Sequence, residues 1–291
     1  MNWQKSLKIK RNQPLKDKTT IKIGGPAQFF SAPKNSKELR ELLIQADKNS
    51  IPVLVIGAGS NLLISDKGVK GLILKLSSAH FKKITLKGNT IEAGSGVMLA
   101  SLIKFTLSKS LVGLEFLSGI PGTLGGALIM NAGCWGKNIG GLVKKIEVID
   151  LKGNIKILNR EEANFGYRKS GLEKYIILSA GIGLKKSSRE IIRRKIKDYL
   201  FKKRATQDLT SYNAGCIFKN PKALSAGKLI DLCGLKGNKR GGAFISAKHA
   251  NFILNKSNAK ASDVLSLIKL ARIKVKQKFG VNLEPEIKIW I

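Results

Sequence analysis

The chain has 291 residues, of which 43% are apolar and 25% charged, and this composition is typical of a folded globular protein. Its length accommodates one large domain or two to three smaller ones. The longest apolar run, residues 51–58, is far shorter than the roughly 18 residues of a membrane-spanning helix, and the basic N-terminus lacks the apolar stretch of a signal peptide. We therefore expect a cytoplasmic protein without a membrane partner.

The net charge of +34, from 53 basic and 19 acidic residues, first suggests a nucleic-acid-binding protein. Lysine supplies 43 of the 53 basic residues, however, whereas arginine is the residue specialised for phosphate and base recognition. The lysines are spread from Lys5 to Lys288 without forming a basic tail. We attribute the charge to an A+T-rich genome, keep steering of an anionic small substrate as an alternative, and expect no nucleic-acid partner to be required.

The cysteine pattern argues against covalent or metal cross-links. There are three cysteines, an odd number, and none of them forms a C-x-x-C pair. This pattern predicts neither a disulfide framework nor a zinc site, so we expect no metal.

Hydrophobic periodicity predicts short strands and amphipathic helices in a mixed order. The predicted strands are 20–23, 27–31, 51–56, 71–76, 90–93, 146–151, 155–158, 175–182 and 286–291. The predicted helices begin near Asn35, Leu99, Ser187, Ala226 and Ala261, and the last of them ends at Gly280. Because strands and helices do not alternate regularly, we predict an α+β fold with a C-terminal domain that begins near Arg204.

Two glycine-rich segments are candidates for binding a flat or phosphorylated ligand. The first, G-A-G-S-N at 57–61, follows an apolar strand, but it lacks the third glycine and the helix of a dinucleotide-binding fingerprint. It is either a phosphate cradle or a simple strand-to-turn junction. The second, 119–134, contains the sequence G-I-P-G-T-L-G-G and little charge, which indicates either close contact with a ligand or a tightly buried turn system.

Three single residues could take part in chemistry. Arg168 lies in F-G-Y-R-K-S, where it is either a carboxylate-binding residue or an ordinary surface arginine. Cys216 lies in N-A-G-C-I-F-K-N-P without a neighbouring histidine, which leaves a proton donor or a nucleophile and argues against a thiol protease. Glu286 ends L-E-P-E at the start of the last strand, where a carboxylate is usually solvated.

Taken together and in this order, the motifs resemble those of the UDP-N-acetylenolpyruvoylglucosamine reductases, also called UDP-N-acetylmuramate dehydrogenases, which are flavoenzymes of peptidoglycan precursor synthesis. The resemblance covers nearly the whole chain. It rests on these segments: T-T-I-K-I-G-G-P-A at 19–27, the two glycine-rich segments, Y-R-K-S, A-G-C-I-F-K-N-P, K-H-A-N-F-I at 248–253, and L-E-P-E.

The resemblance implies a vanillyl-alcohol-oxidase-like FAD-binding part in two lobes, 1–68 and 69–203, and a C-terminal α+β substrate-binding domain, 204–285. The final strand, 286–291, is expected to return to the second lobe. FAD is expected to be non-covalent, with NADPH as the hydride donor and UDP-N-acetylglucosamine enolpyruvate as the substrate, on a monomeric enzyme. The residues implied for FAD are Gly57, Ala58, Gly59, Ser60, Asn61, Gly119, Ile120, Pro121, Gly122, Gly125, Gly126, Asn131 and Gly133.

The resemblance also assigns catalytic roles. Cys216 matches the proton donor of the family, Arg168 its active-site arginine and Glu286 its active-site glutamate; reduced flavin N5 would deliver hydride to C3 of the enol ether and Cys216 a proton to C2. The candidate substrate contacts are Tyr167, Lys219, Asn220 and Arg204.

Two departures from the commoner family pattern are visible. Position 216 is Cys where Ser is more common, and a thiol is the better acid but is open to oxidation. The short separation between Arg168 and Cys216 leaves no room for the extra tyrosine-bearing loop of longer members, which predicts the shorter, type II form. The alternatives are another flavin oxidoreductase of the same fold, or a basic nucleic-acid-binding protein on this scaffold.

Overall fold

The computed structural model describes residues 7–208 and 210–291, which form two compact units. The first unit comprises residues 7–11, 29–58 and 71–203, and the second comprises 12–28, 59–70 and the described part of 204–291. Each unit is therefore assembled from segments that are far apart in the sequence.

The helices and strands are as follows. The α-helices are α1 (Ser36–Lys48), α2 (Leu99–Ser108), α3 (Leu124–Ile129), α4 (Arg189–Thr206), α5 (Ala226–Leu232) and α6 (Ala261–Phe279). Short 3₁₀ turns lie at Lys16–Lys18, His80–Lys82, Glu115–Leu117 and Ile139–Leu142. The strands are β1 (Lys10–Pro14), β2 (Pro26–Ser31), β3 (Val53–Val55), β4 (Leu62–Ile64), β5 (Val69–Leu74), β6 (Ile84–Lys87), β7 (Thr90–Gly94), β8 (Leu111–Val112), β9 (Gly133–Cys134), β10 (Lys137–Asn138), β11 (Val143–Ile149), β12 (Ile155–Asn159), β13 (Ile176–Gly183), β14 (Lys185–Lys186), β15 (Tyr212–Cys216), β16 (Lys239–Arg240), β17 (Ala243–Ile245), β18 (Phe252–Asn255) and β19 (Lys288–Trp290).

The largest sheet of the first unit is antiparallel, with strand order β12-β11-β13-β7-β6. Its alternating apolar side chains pack with α2 and α3 in one core, which also contains Phe116 and Ile139. Burial of this apolar face is the main force that holds the sheet and helices together. The second glycine-rich segment, 119–134, leads into and out of α3, so the core between the sheet and α3 fixes the position of this segment.

Helix α1 illustrates how the local sequence determines an element. The side chain of Asn35 accepts a hydrogen bond from the Glu38 N–H at 3.0 Å, which caps the helix at its first turn. Leu39, Leu42 and Leu43 follow at helical spacing and are completely buried. The helix therefore begins and faces the core as the sequence predicts. A four-stranded sheet, β1-β2-β5-β3, has β3 and β5 parallel.

The second unit is built around the sheet β15-β18-β17-β16, on which α5 and α6 share one apolar core. Helix α6 buries Val264, Leu267 and Ile268 and ends at Gly280, whose φ of 69° is the left-handed conformation of a C-terminal cap. The final strand β19 pairs in parallel with β4, which belongs to the same unit.

Most of the predicted elements are present within one to three residues of the expected bounds, and two predictions are wrong. Residues 20–23 form no strand: residues 20 and 21 lie in a turn. The Thr19 hydroxyl bonds both the N–H and the C=O of Ile23, at 3.2 and 2.9 Å, so these groups are not available to a strand ladder. The final strand pairs with residues of the predicted first lobe rather than the second. The three-range domain division itself stays a prediction. Among the described residues, every helix is too short or too polar to cross a lipid bilayer.

Candidate active site

In the first unit, Gly57, the first residue of the first glycine-rich segment, approaches the start of α3 too closely to carry a side chain. A Cβ on Gly57 would lie 2.6 Å from Oγ1 of Thr123, the residue that caps α3 through the Gly126 N–H. A Cβ on Gly125 would lie 3.0 Å from Cβ of Ser95. Glycine is therefore needed at both positions because the backbone packs closely against Thr123 and Ser95 there, and this packing fixes the start of α3.

The same region contains two buried hydroxyl groups that make no hydrogen bond within the described part of the chain. Ser95 is 4% exposed and Ser118 is 3% exposed, and the Oγ atoms of both are unsatisfied. Ser95 contacts the start of α3, and Ser118 precedes the left-handed Gly119, whose φ is 72°. Because an unsatisfied buried hydroxyl is costly, these two atoms indicate a polar ligand that supplies the missing partners.

These features fit FAD. The backbone around Gly57, Gly119 and Gly125 would approach its flat ring and its phosphates, and the hydroxyls of Ser95 and Ser118 would bond its polar atoms. Sequence reasoning did not select either serine. Only their burial without a partner identifies them, and that property is not visible in the sequence.

Tyr167 and Arg168 lie at the corners of a tight turn in the first unit. Gly166 and Lys169 close this turn with two backbone hydrogen bonds, and Arg168 has a left-handed φ of 54°. The guanidinium of Arg168 lies 5.3 Å from the centre of the Tyr167 ring, in cation–π contact. The turn presents an arginine and an aromatic ring together, a combination suited to a carboxylate.

Asn131 supports this turn. Its Nδ2 donates to the Gly166 carbonyl at 2.9 Å, and its Oδ1 accepts from the Gly140 N–H at 3.0 Å. Asn131 was predicted to bind FAD, but both polar atoms of its side chain bond backbone groups and thereby fix the position of the Arg168 turn. Gly133 lies in the neighbouring hairpin, where a Cβ would lie 2.0 Å from the Lys137 carbonyl.

In the second unit, a bulge in β15 orients Cys216. Asn213 pairs with Leu254 and Cys216 with Phe252, so the three-residue step in β15 matches a two-residue step in β18. Gly215 takes a φ of 74° at the bulge. The extra residue shifts the alternation of side chains, so Ala214 and Ile217 are buried while Cys216 is half-buried.

The fold brings Cys216 and Glu286 close together although they are far apart in the sequence. The Glu286 N–H donates to the carbonyl of Ile217, the residue after Cys216, at 2.8 Å. Phe218 and Pro285 form an isolated antiparallel bridge beside this bond. A thiol and a carboxylate on adjacent backbone segments can share the handling of a proton.

The end of the first glycine-rich segment, residues 59–61, lies beside the Cys216 and Glu286 segments. Nδ2 of Asn61 donates to the Glu286 carbonyl at 3.1 Å, and the Lys288 N–H donates to the Asn61 carbonyl at 3.1 Å. Thr20 links the Gly59 and Asn213 carbonyls, with its Oγ1 at 3.3 and 2.7 Å from their oxygens. Thr20 was not predicted, although it lies within T-T-I-K-I-G-G-P-A.

The predicted substrate residues lie in separate settings. The ammonium of Lys219 pairs with the Glu284 carboxylate, and Oδ1 of Asn220 accepts from the Ala226 N–H at 3.1 Å, near the start of α5. Arg204 is exposed in the last turn of α4, and its carbonyl accepts a hydrogen bond from Lys248. An anionic ligand at Lys219 would have to compete with Glu284.

The comparisons with known proteins cover nearly the whole chain. Residues 27–159 match the model of an FAD-binding domain, and residues 207–290 match the C-terminal domain of UDP-N-acetylenolpyruvoylglucosamine reductase. The chain is 43% identical over 284 residues to the UDP-N-acetylenolpyruvoylglucosamine reductase of Caldanaerobacter subterraneus, covering 97% of this chain and 93% of that one. It is 40% identical over 283 residues to the UDP-N-acetylenolpyruvoylglucosamine reductase of Clostridioides difficile, covering 97% of this chain and 93% of that one.

Solved structures agree with these matches. The structure of UDP-N-acetylenolpyruvylglucosamine reductase from Thermus caldophilus superposes with a TM-score of 0.84 at 36% identity, over 96% of this chain and 97% of that one. A solvent-stable cholesterol oxidase matches 61% of this chain and 38% of its own, with a TM-score of 0.50 at 15% identity, which is a likeness of fold alone. The predicted α+β fold with a vanillyl-alcohol-oxidase-like FAD-binding part is confirmed. The chain belongs to the UDP-N-acetylenolpyruvoylglucosamine reductases, the FAD-dependent oxidoreductases of peptidoglycan precursor synthesis.

Proposed function

We propose that the protein reduces the enolpyruvyl ether of UDP-N-acetylglucosamine enolpyruvate to UDP-N-acetylmuramate at the expense of NADPH. The observation that carries the proposal is the pairing of the Cys216 turn with Glu286, through the Glu286 N–H and the Ile217 carbonyl at 2.8 Å. This pairing supports a site in the second unit at which Cys216 and Glu286 together deliver a proton. The chemistry supplied by bound FAD is transfer of a hydride from NADPH to C3 of the enol ether.

The residues of the chain would then handle charge and protons. As hydride reaches C3, negative charge develops at C2 and over the adjacent carboxylate, and the Arg168 guanidinium would stabilise it. Cys216 would donate its thiol proton to C2, and the resulting thiolate would recover a proton from solvent. Glu286 would hydrogen-bond the protonated oxygen of the enolised carboxylate. The net reaction adds one hydride and one proton across the C2–C3 double bond.

The half-reactions separate these roles. The purified protein, loaded with FAD and kept free of oxygen, is mixed with NADPH, and the flavin absorbance is followed before and after UDP-N-acetylglucosamine enolpyruvate is added. We expect bleaching by NADPH and recovery with the enol ether. Bleaching without recovery would indicate another flavin oxidoreductase, and a protein that FAD cannot reconstitute would contradict the enzymatic proposal.

The proton donor is tested with Cys216→Ala. We expect flavin reduction by NADPH to be unchanged and the enol-ether step to slow about 10²- to 10⁴-fold, the usual contribution of a general acid. Cys216→Ser should retain more activity than the alanine variant. Cys233→Ala is the matched control, because Cys233 is also half-buried and in the second unit but lies at the end of α5. Equal survival of both half-reactions in Cys216→Ala would exclude Cys216 as the donor.

We also propose that the enzyme is a cytoplasmic monomer that requires no nucleic acid. NADPH and a uridine nucleotide sugar are polyanions, so a protein of net charge +34 attracts both without any macromolecular partner. Light scattering after size-exclusion chromatography tests the oligomeric state. Retention on immobilised DNA at physiological salt, with loss of reductase activity, would contradict this proposal.

A further inference from the structure

Asn251 lies beside the Cys216 turn and is not among the residues to which the family resemblance assigns a role. It precedes β18 and is 2% exposed, within the K-H-A-N-F-I motif. Its Oδ1 accepts from the Phe218 N–H at 2.9 Å, and its Nδ2 donates to the Phe218 carbonyl at 2.8 Å. One amide side chain thereby satisfies both backbone groups of Phe218.

The backbone of Asn251 adds a third bond to the same turn. Its carbonyl accepts from the Ile217 N–H at 2.9 Å. The regular ladder between β15 and β18 ends at Cys216, which pairs with Phe252. Beyond Cys216, the chain is therefore held by Asn251 rather than by a further strand pair.

The other side of the turn is held by the segment that carries Glu286. The Ile217 carbonyl accepts from the Glu286 N–H at 2.8 Å, and the Lys219 N–H donates to the Glu284 carbonyl at 2.9 Å. The turn at 216–219 lies between these bonds and Asn251. If the Asn251 bonds are lost, the two backbone groups of Phe218 lose their partners in a buried environment, and the turn must move to satisfy them.

We propose that Asn251 is a positioning residue that holds the Cys216 thiol, together with the neighbouring Glu286 segment, in place for proton transfer. The inference rests on the proposed function, because it assigns Asn251 an effect only on the step in which Cys216 donates its proton. Asn251 acts through the backbone of Phe218 and need not touch the substrate. A thiol displaced by about 1 Å is expected to slow its step by up to about 100-fold.

A matched control is available at the end of β18, the strand that Asn251 precedes. Asn255 is 6% exposed, donates from Nδ2 to the Ile21 carbonyl at 2.9 Å and accepts at Oδ1 from the Ala259 N–H at 2.9 Å. It therefore makes the same kind of buried amide bridge in the same unit. Its partners are not part of the 216–219 turn, so Asn255→Ala reports the structural cost of losing such a bridge.

The experiment measures both half-reactions of the FAD-loaded enzyme for Asn251→Ala and Asn255→Ala. For Asn251→Ala, we expect flavin reduction by NADPH within about 2-fold of the wild type, and enol-ether reduction about 10- to 100-fold slower at saturating substrate. Asn255→Ala should leave both limiting rates within about 2-fold, since its bonds lie elsewhere. Asn251→Asp, which keeps the size and the acceptor to Phe218, replaces the alanine variant if that variant does not fold.

A double-mutant cycle with Cys216→Ala completes the test. In the Cys216→Ala background, Asn251→Ala should slow the enol-ether step by less than about 2-fold, because the group that it positions is gone. Additive losses, or equal losses for Asn251→Ala and Asn255→Ala, would overturn the inference and leave the proposed function standing. An enol-ether step unchanged by Cys216→Ala alone would instead refute the proposed role of Cys216, and with it the role assigned to Asn251.

Discussion

Replacing Gly59 with alanine tests how closely the first glycine-rich segment packs in the second unit. Gly59 has a φ of 65°, in the left-handed region that costs an alanine roughly 1–2 kcal/mol. A Cβ would also lie 2.1 Å from the Lys18 carbonyl oxygen and 2.8 Å from Cα of Thr19. Both contacts are with backbone, so no side-chain rotation can relieve them.

The size of the effect follows from the distances. The two backbone segments would have to separate by about 1 Å to reach ordinary contact, an overpacking strain of roughly 1–3 kcal/mol. The bond from the Thr20 N–H to the Gly59 carbonyl, now 3.1 Å, would then be lost, at about 1 kcal/mol. We expect Gly59→Ala to lower the free energy of unfolding by about 3–6 kcal/mol in total.

Gly280→Ala provides the control, and urea denaturation followed by circular dichroism provides the measurement. Gly280 has nearly the same φ, 69°, and a Cβ there would meet no described atom within 4 Å. Its substitution should therefore cost only the roughly 1–2 kcal/mol of the left-handed conformation. A Gly59→Ala variant within about 1 kcal/mol of Gly280→Ala would refute the argument that close backbone approach, rather than φ, requires glycine at position 59.

The remaining predictions concern cofactor binding, acid stability and the Arg168 turn. Ser118→Ala should raise the stability of the FAD-free protein by about 1 kcal/mol and weaken FAD binding about 3- to 10-fold, in urea denaturation and flavin-fluorescence titration. Burial raises the pKa of Asp208, but hydrogen bonds from the turn that follows outweigh burial and lower the pKa to about 2. The ionised Asp208 therefore stabilises the folded protein above about pH 4, and this contribution should be lost as the pH falls towards 2. The loss should be absent in Asp208→Asn. Burial lowers the pKa of His249 below 6.5, so stability should fall as the pH drops below about 6.5, and less steeply in His249→Gln. Asn131→Ala should raise the KM for the enol ether without changing flavin reduction, because it frees the turn at 166–169.

The local sequence was sufficient where short-range physics decides the structure. The Asn35 cap, the apolar faces of α1 and α6 and the terminal Gly280 follow from side-chain chemistry within a few residues, and the structure confirms each of them. Motifs that resemble a family were also sufficient to predict the FAD-binding fold and the enzyme class, both of which the comparisons confirm.

Only the tertiary structure decided how distant segments come together. Parallel pairing of β19 with β4 and the bond between the Glu286 N–H and the Ile217 carbonyl join residues whose separation leaves no local signal. Residues 20–23 have the composition of a strand, but the Thr19 hydroxyl occupies both backbone groups of Ile23. The proposed role of Asn251 is likewise not visible in the sequence, because it depends on which backbone groups the fold leaves for a buried amide to bond.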